Sequence, residues 1–519
     1  MESQKLWQQA HWHAERREWE QAKASFNALL AQHPDDPSVL LQLSYISSLA
    51  GNYRAARACA LRASTARAIA PDVLKELLSR LRTFNEPEVF HRVVANLGPP
   101  GGIPIPLLLG CAAQLSYFNE QERALALLDE AKRADPDYPP TLMSRGQVLT
   151  YMARFDEAEQ DLLRCQKRVP QAAQVYWLLS RLRTQTPGNN HVGQIRVQME
   201  RQGRNKSDIA LLGYALHKEL DDLKDFPGAM QALDLGSQAK RSTLDYRAGD
   251  TRKLVDDLIA LPAPAGTRIN AGRDGNAARV PLFIVGMHRS GTTLLEQLLD
   301  GHGDVKGVGE LYDFTSQMRY ATDHHCRGVI DATVVARAGS VEFEAVGRGY
   351  LEKMEWRLGK ERHFTDKLPS NFLNIGFICR ALPQAKILHM VRDPVETCFS
   401  NLRELFSDAN PYSYDQLELA DYYKQYRRLM AHWHQAWPGR ILDVDYAELT
   451  RDPEAMMRRV AAFCGLEYEA GMLDIAARKR GVATASAVQV RQGIVARESP
   501  KWAPYEAYLQ PLIQALQTD

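Results

Sequence analysis

The sequence predicts an α + α/β chain, with a helical repeat array in the first half and a parallel-sheet α/β domain in the second. Three observations carry this. Small and bulky residues recur at multiples of 34 positions between about residues 4 and 240. A stretch rich in Pro, Gly, Ala and Asn follows. Beyond it, short apolar runs alternate with helical patterns, and the first run enters "GMHRSGTT".

The repeat comes first along the chain. Aligning "REWEQAKASFNALLAQHP", "GNYRAARACALRAS", "FNEQERALALLDEAKRADP" and "ARFDEAEQDLLRCQKRVP" puts Ala22, Ala56, Ala124 and Ala158 at multiples of 34, together with Pro34, Pro136 and Pro170. Trp19, Tyr53 and Phe155 recur in the same way, while the slot near Phe90 has drifted. Two amphipathic helices per 34 residues, with a small residue where they pack and a proline after the second, is the tetratricopeptide pattern. One such pair cannot bury its apolar face alone, so pairs stack and curve into a groove suited to a peptide or protein. The alternative is that the array only supports or dimerises the second half. The expected division is repeats over 1–245, a linker over 246–279 around "LPAPAGTRINAGRDGNAAR", and a second domain over 280–519.

In that second domain "VPLFIVG", "AKILHMV" and "RILDVDY" have the length and apolar content of buried parallel strands, and "TTLLEQLLDGH", "PVETCFSNLRELF" and "EAMMRRVAAFCGL" read as the helices between them. The totals exclude little else. The chain has 519 residues, a net charge of +1 and 24% charged residues, which gives no bulk-charge argument for a nucleic-acid or membrane-surface role. No run of 18 apolar residues suggests a membrane span, and the charged start lacks a signal-peptide core. Seven scattered cysteines without a C-x-x-C suggest neither a disulfide frame nor a metal site, so a cytoplasmic location is expected.

The chemistry gathers around two loops. In "LFIVGMHRSGTTLLEQLLDGH", Gly286 and Gly291 have the spacing of a phosphate-binding loop, but Thr292 stands where a nucleotide-binding loop has lysine. A strand running through glycines into a helix N-terminus still offers unpaired N–H groups and the positive end of the helix dipole. Arg289, Ser290, Thr292 and Thr293 add a cation and hydroxyl donors. In "AKILHMVRDPVETCFSNL", Arg392 leaves a buried strand at the edge where parallel sheets bind ligands, and Ser400 follows about two helical turns later. Arginine suits a second phosphate because its planar fork binds two oxygens.

"VGMHRSGTTLLEQLLDGHGDVKGVGE" and "HMVRDPVETCFSNL" resemble the two cofactor loops of the sulfotransferases. More closely they resemble tyrosylprotein sulfotransferases and the bacterial proteins that join tetratricopeptide repeats to such a domain. The resemblance covers about 280 to 515. It implies a fold related to nucleotide kinases, a P-loop-like sulfotransferase domain, with 3′-phosphoadenosine 5′-phosphosulfate (PAPS) as donor, the bisphosphate PAP as product and no metal. The missing lysine fits, since there is no γ-phosphate to manage. The resemblance implies that Arg289, Ser290, Gly291, Thr292 and Thr293 line the 5′ site and that Arg392 and Ser400 hold the 3′-phosphate. It places Tyr446 of "LDVDYAEL" on the nucleotide. "TASAVQVRQGIVARESPKW" resembles the C-terminal cofactor loop, with Ser486, Gln489, Val490, Arg491 and Lys501 at the donor. One position departs: the family often has an arginine one turn past the serine of the second loop, and Glu404 stands there. Arg403 is the neighbouring substitute, but one residue turns a side chain by about 100° around a helix.

Sulfuryl transfer needs in-line geometry, groups that absorb charge on the leaving phosphate, and a base for the acceptor hydroxyl. Glu310 in "GVGELYDF", 21 residues after Arg289, matches the glutamate base of the tyrosylprotein enzymes. Lys367 in "FTDKLPSNF" matches a lysine that neutralises the transferring group, with an ion pair to Asp366 as the alternative. Ser486 would donate to the same oxygens. Among His302, His288 and His389, His302 is the fallback base. The aromatic stripe of "LELADYYKQYRRLMAHWHQAWPG", Tyr422 and Tyr423 included, is assigned to packing. The expected activity is therefore PAPS-dependent sulfation of a peptide or protein tyrosine held by the repeat groove. The alternatives are a carbohydrate or small-molecule hydroxyl, or a repeat scaffold with an inactive domain.

Overall fold

The computed structural model describes residues 2–67, 69–262, 279–475, 494 and 499–518. They fall into two compact units, Met1–Asp135 with Tyr312–Trp356, and Pro136–Leu311 with Arg357–Asp519. That grouping cuts across the expected division at 246–279. Within the expected linker, Ala248–Ile259 is a helix whose Val255 and Leu258 are buried.

The first unit begins with antiparallel helix pairs, from Glu2–Glu15 with Trp19–Gln32 to Ile105–Tyr117 with Gln121–Ala134. Ala22, Ala56 and Ala124 are each the fourth residue of a second helix, and each is fully buried. Phe90 occupies the same place in Pro87–Ala95 and is equally buried, so the slot that has drifted in sequence keeps its position in the fold. The unit also contains the helices Asp313–Ala321 and Phe343–Met354. The backbone N–H and guanidinium of Arg54 donate to Asp323, Tyr320 and Ala321. Glu86 accepts from both Arg57 and Lys353, at 2.5 and 2.6 Å. Tyr117 stacks on Tyr312 with ring centroids 5.7 Å apart.

The second unit continues with helix pairs, in which Ala158 repeats the buried fourth position, and then forms a five-stranded parallel sheet. The strands are β1 (Val280–Gly286), β2 (Val305–Lys306), β3 (His363–Asp366), β4 (Lys386–Val391) and β5 (Ile441–Asp445), in the order β2-β3-β1-β4-β5. Every residue of β1 is buried, as a central parallel strand covered on both faces requires. One face packs Leu282, Ile284 and Met390 against Leu295 and Leu298 of the helix Thr292–Leu299 and Met457 and Val460 of Pro453–Cys464. Over the other face runs the helix Gln416–Ala436, whose Trp433 indole donates to the carbonyl of Phe372 at 2.9 Å. The strands added after β1 switch sides between β1 and β4, with β3 and β2 on one side of β1 and β4 and β5 on the other, and Gly286 sits in register with Met390. The loops after these two strands therefore flank the crevice where parallel sheets bind ligands.

All seven cysteines are free, and six of them are buried. No described helix is long and apolar enough to cross a membrane.

Candidate active site

The first loop is shaped by three left-handed residues, Gly286 (φ 146°), Arg289 (φ 66°) and Gly291 (φ 109°). The two glycines are required by space as well as by torsion. A Cβ on Gly286 would lie 2.8 Å from the carbonyl oxygen of Met390, and one on Gly291 would lie 2.5 Å from the ring of Tyr446. Arg289, a non-glycine residue held in that region, marks the kind of strained backbone that clusters at ligand sites. Ser290 closes the turn by donating to the carbonyl of Met287 at 2.7 Å. Gly291 is the N-cap residue, and Thr292 and Thr293, both buried, open the helix.

The second loop lies against the first. Nη1 of Arg392 donates to the carbonyl oxygen of Arg289 at 3.1 Å, and its guanidinium sits 4.4 Å over the ring of Tyr446. Asp393 caps the helix Pro394–Leu402, on which Ser400 is half-buried. Asn401 donates to the carbonyl of His288 at 2.7 Å and ties that helix to the first loop. Glu396 accepts from Arg392 at 2.7 Å and from the backbone N–H of Lys501 at 3.0 Å. The structure thus brings together Arg289, Ser290, Gly291, Thr292, Thr293, Arg392 and Tyr446, with the Lys501 backbone alongside. Ser486, Gln489, Val490 and Arg491 lie outside the described residues.

Glu310 and Lys367 meet directly. The Lys367 ammonium, fully buried, is 2.6 Å from Oε1 of Glu310, whose side chain is 32% exposed. Its partner is therefore Glu310; the expected alternative was Asp366. The backbone holds both ends in place, with the Lys367 N–H on the carbonyl of Gly309 at 3.1 Å. Glu296 anchors the same segment by accepting from the Gly309 N–H at 2.7 Å and from Thr365 at 3.1 Å.

The histidines divide by their contacts. Nε2 of His302 bonds the carbonyl oxygen of Glu467 at 2.9 Å and Nδ1 accepts from the Asp304 N–H at 3.0 Å, so both ring nitrogens serve the fold. His389 is buried between Asp443 and Tyr426. With His434 it forms the only His/Cys/Asp/Glu group of metal-binding spacing among the described residues, and Oδ1 of Asp443 accepts from both imidazoles at 2.7 and 2.9 Å. His288, inside the first loop, is pushed down to about 4 by burial and by the nearby charges of Lys367 and Arg289. Tyr422 is buried, stacked on Tyr412 at 3.4 Å, in agreement with a packing role.

Arg403, the neighbouring substitute for the absent arginine, has a carboxylate partner. It pairs with Asp221 at 2.5 Å, and Asp221 also accepts from the hydroxyl of Tyr505 at 2.6 Å. Glu404 accepts from Arg181 at 2.8 Å and lies 3.9 Å from Arg289. Burial lowers the pKa of Arg289, the Glu404 charge opposes that shift, and Arg181, Arg392 and Arg403 add to it. Sequence reasoning missed Glu396, Glu296, Asn401, Arg181 and Asp221. Only Glu396, four residues after Arg392 on one helix face, carries a local signal.

A glycine-lined turn at a helix N-terminus, two arginines from adjacent loops and a lysine–glutamate pair make a site suited to an anionic ligand. A family comparison supplies the class. The family model described as "Sulfotransferase family" matches residues 281–470, and this segment is a sulfotransferase-family domain. An uncharacterized protein of Aquifex aeolicus (strain VF5) is 29% identical over 409 residues, covering 77% of this chain and 53% of that one, so the chain spans about half its length. A putative protein-tyrosine sulfotransferase of Caenorhabditis briggsae is 25% identical over 193 residues, 37% of this chain and 68% of that one. The solved sulfotransferase domain of the Synechococcus PCC 7002 olefin synthase aligns with TM-score 0.30 and 19% identity, covering 47% of this chain and 97% of that one.

Proposed function

We propose that this chain transfers a sulfuryl group from PAPS to the hydroxyl of a tyrosine in a peptide or protein. The observation that carries the reading is the Lys367–Glu310 pair, a buried cation against a half-exposed carboxylate, in the domain that holds the glycine–arginine loop. When bound, PAPS supplies an activated sulfuryl group. Glu310 accepts the proton of the acceptor phenol as the new O–S bond forms and the bond to the phosphate breaks. Lys367 balances the charge of that carboxylate and of the transferring group. Arg289 and the N–H groups at the start of Thr292–Leu299 hold the 5′ end of the donor, and Arg392 with Ser400 holds the 3′-phosphate. Partial similarity to proteins named protein-tyrosine sulfotransferases in Caenorhabditis and Drosophila supports the acceptor class.

The 34-residue helix pairs are read as tetratricopeptide repeats that present the acceptor. Arg54, Arg57 and Tyr117 already hold the chain's own 312–356 segment, so the acceptor surface belongs to other parts of the array. The test is mass spectrometry of a tyrosine-peptide library and a glycan set incubated with PAPS and the protein. Sulfated tyrosine peptides alone support the reading. Sulfated glycans alone transfer the site to carbohydrate, and no product from either set removes the enzyme reading.

A further inference from the structure

The strands β4 and β5 run side by side with His389 in register with Asp443. Leu388, Met390 and Val444 belong to the apolar cluster on one face of the sheet. The alternating residues His389 and Asp443 therefore turn to the other face, toward the helix Gln416–Ala436. That helix supplies Tyr426 from its middle and His434 from its last turn. Oδ1 of Asp443 lies 2.7 Å from Nδ1 of His389 and 2.9 Å from Nε2 of His434, and the two imidazole centroids are 6.2 Å apart. One ligand atom from each of the three residues lies within 4.8 Å of the other two. Through Nε2, His389 also meets the hydroxyl of Tyr426. Side-chain exposure rises outward, from 4% for His389 to 37% for His434 and 51% for Asp443. The group is anchored inside the fold at His389 and open to water at Asp443, and the proposed sulfuryl transfer uses none of it.

We propose that Nδ1 of His389, Nε2 of His434 and the carboxylate of Asp443 form a binding site for one divalent cation of the zinc class, with a fourth position open to water. Two imidazoles and a carboxylate are a ligand set that such ions take, whereas Mg²⁺ and Ca²⁺ favour oxygen ligands alone. Zinc at about 2.0–2.2 Å from each ligand in a tetrahedral site keeps its ligand atoms roughly 3.3 Å apart. The Asp443 oxygen therefore has to draw back from each ring by only about 0.5 Å. A neutral imidazole carries its one proton on either nitrogen. With that proton on Nε2, His389 donates to the Tyr426 oxygen, which frees Nδ1 for the cation and supplies the outer hydrogen bond that metal-bound histidines keep. The negative end of the helix dipole beside His434 and the charge of Asp443 both favour a cation. A bound ion would fasten the end of Gln416–Ala436 to β4 and to the edge strand β5. His389 and His434 stand 54 and 9 residues before Asp443 on separate elements, a spacing no short motif captures, which is why the sequence reading expects no metal. The proposal does not depend on the sulfuryl-transfer reading.

Calorimetric titration of the chelator-treated full chain with Zn²⁺ is the test. The unsubstituted protein is expected to bind Zn²⁺ at this site, and a large excess of Mg²⁺ should not displace it. His434→Ala and Asp443→Asn should each weaken binding by more than about 100-fold, beyond the loss that follows removal of an outer hydrogen-bond partner. Both side chains are partly exposed, so the metal-free variants are expected to fold, which thermal unfolding checks; His434→Gln replaces the alanine variant if that one does not. Co²⁺ gives a second reading, since the intense visible bands of a low-coordinate site should appear with the unsubstituted chain and be lost in both variants. No Zn²⁺ binding by the unsubstituted protein, binding unchanged by either substitution, or displacement by Mg²⁺ overturns the proposal and leaves the group a hydrogen-bonded cluster.

Discussion

At Lys367 the fold places an ammonium out of water and gives it one partner within 2.6 Å, Glu310. A buried charge without such a partner costs several kcal/mol, so the two residues stabilise each other as well as sharing the proposed chemistry. A different residue reports on pH. His217 is buried, Nδ1 meets the carbonyl of Ala229 at 2.8 Å, and burial followed by the Arg403 charge lowers its pKa to about 4. The unfolded chain takes up a proton near the ordinary value of 6.5, which the folded chain refuses until about 4. Stability is therefore lost as pH falls through that window. Denaturant unfolding at pH 7.5 and pH 5 is expected to show a loss on the order of 2 kcal/mol from this group, absent in His217→Gln. An equal loss in the variant would assign the effect to other groups.

At the scale of elements, the repeat is a property of backbone as much as of side chains. Arg17, Gly51, Asn85, Asn119 and Ala153 occupy the turn between the two helices of successive pairs, 34 residues apart, and all are left-handed, with φ from 56° to 80°. This regularity was not legible in the sequence, because an arginine, a glycine, two asparagines and an alanine share a torsion but no chemistry. The alanines at the helix crossings were legible, since close approach favours small side chains there, although Phe90 fills the same position and is equally buried. Ala153, a β-carbon in the left-handed region without a polar side chain to compensate, is strained. Ala153→Gly is expected to stabilise the protein by roughly 0.5–1 kcal/mol, read as a higher midpoint in thermal unfolding. A lower midpoint would show that the turn is not strained.

At the scale of the whole molecule, the sequence reading divides the chain by texture, while the compact units follow packing. Residues 280–519 read as one piece, yet Tyr312–Trp356 belongs with the first helices through Arg54, Glu86 and Tyr117. Contacts between residues about two hundred or more positions apart leave no local pattern. The same reason separates the legible part of the site from the rest. The glycine spacing, Arg289 and Arg392 sit on two short strings and are found by spacing, and Tyr446, Glu310 and Lys367 by likeness. Arg181 meets Glu404, and Asp221 meets Arg403, only through the fold. The central claim, a PAPS site with Glu310 as base, is tested most directly by titrating PAP into the unsubstituted protein and into Glu310→Gln, with turnover measured on both. Comparable PAP affinity in the two, with turnover lost only in Glu310→Gln, is the expected result. No PAP binding by the unsubstituted protein, or full turnover by Glu310→Gln, would contradict it.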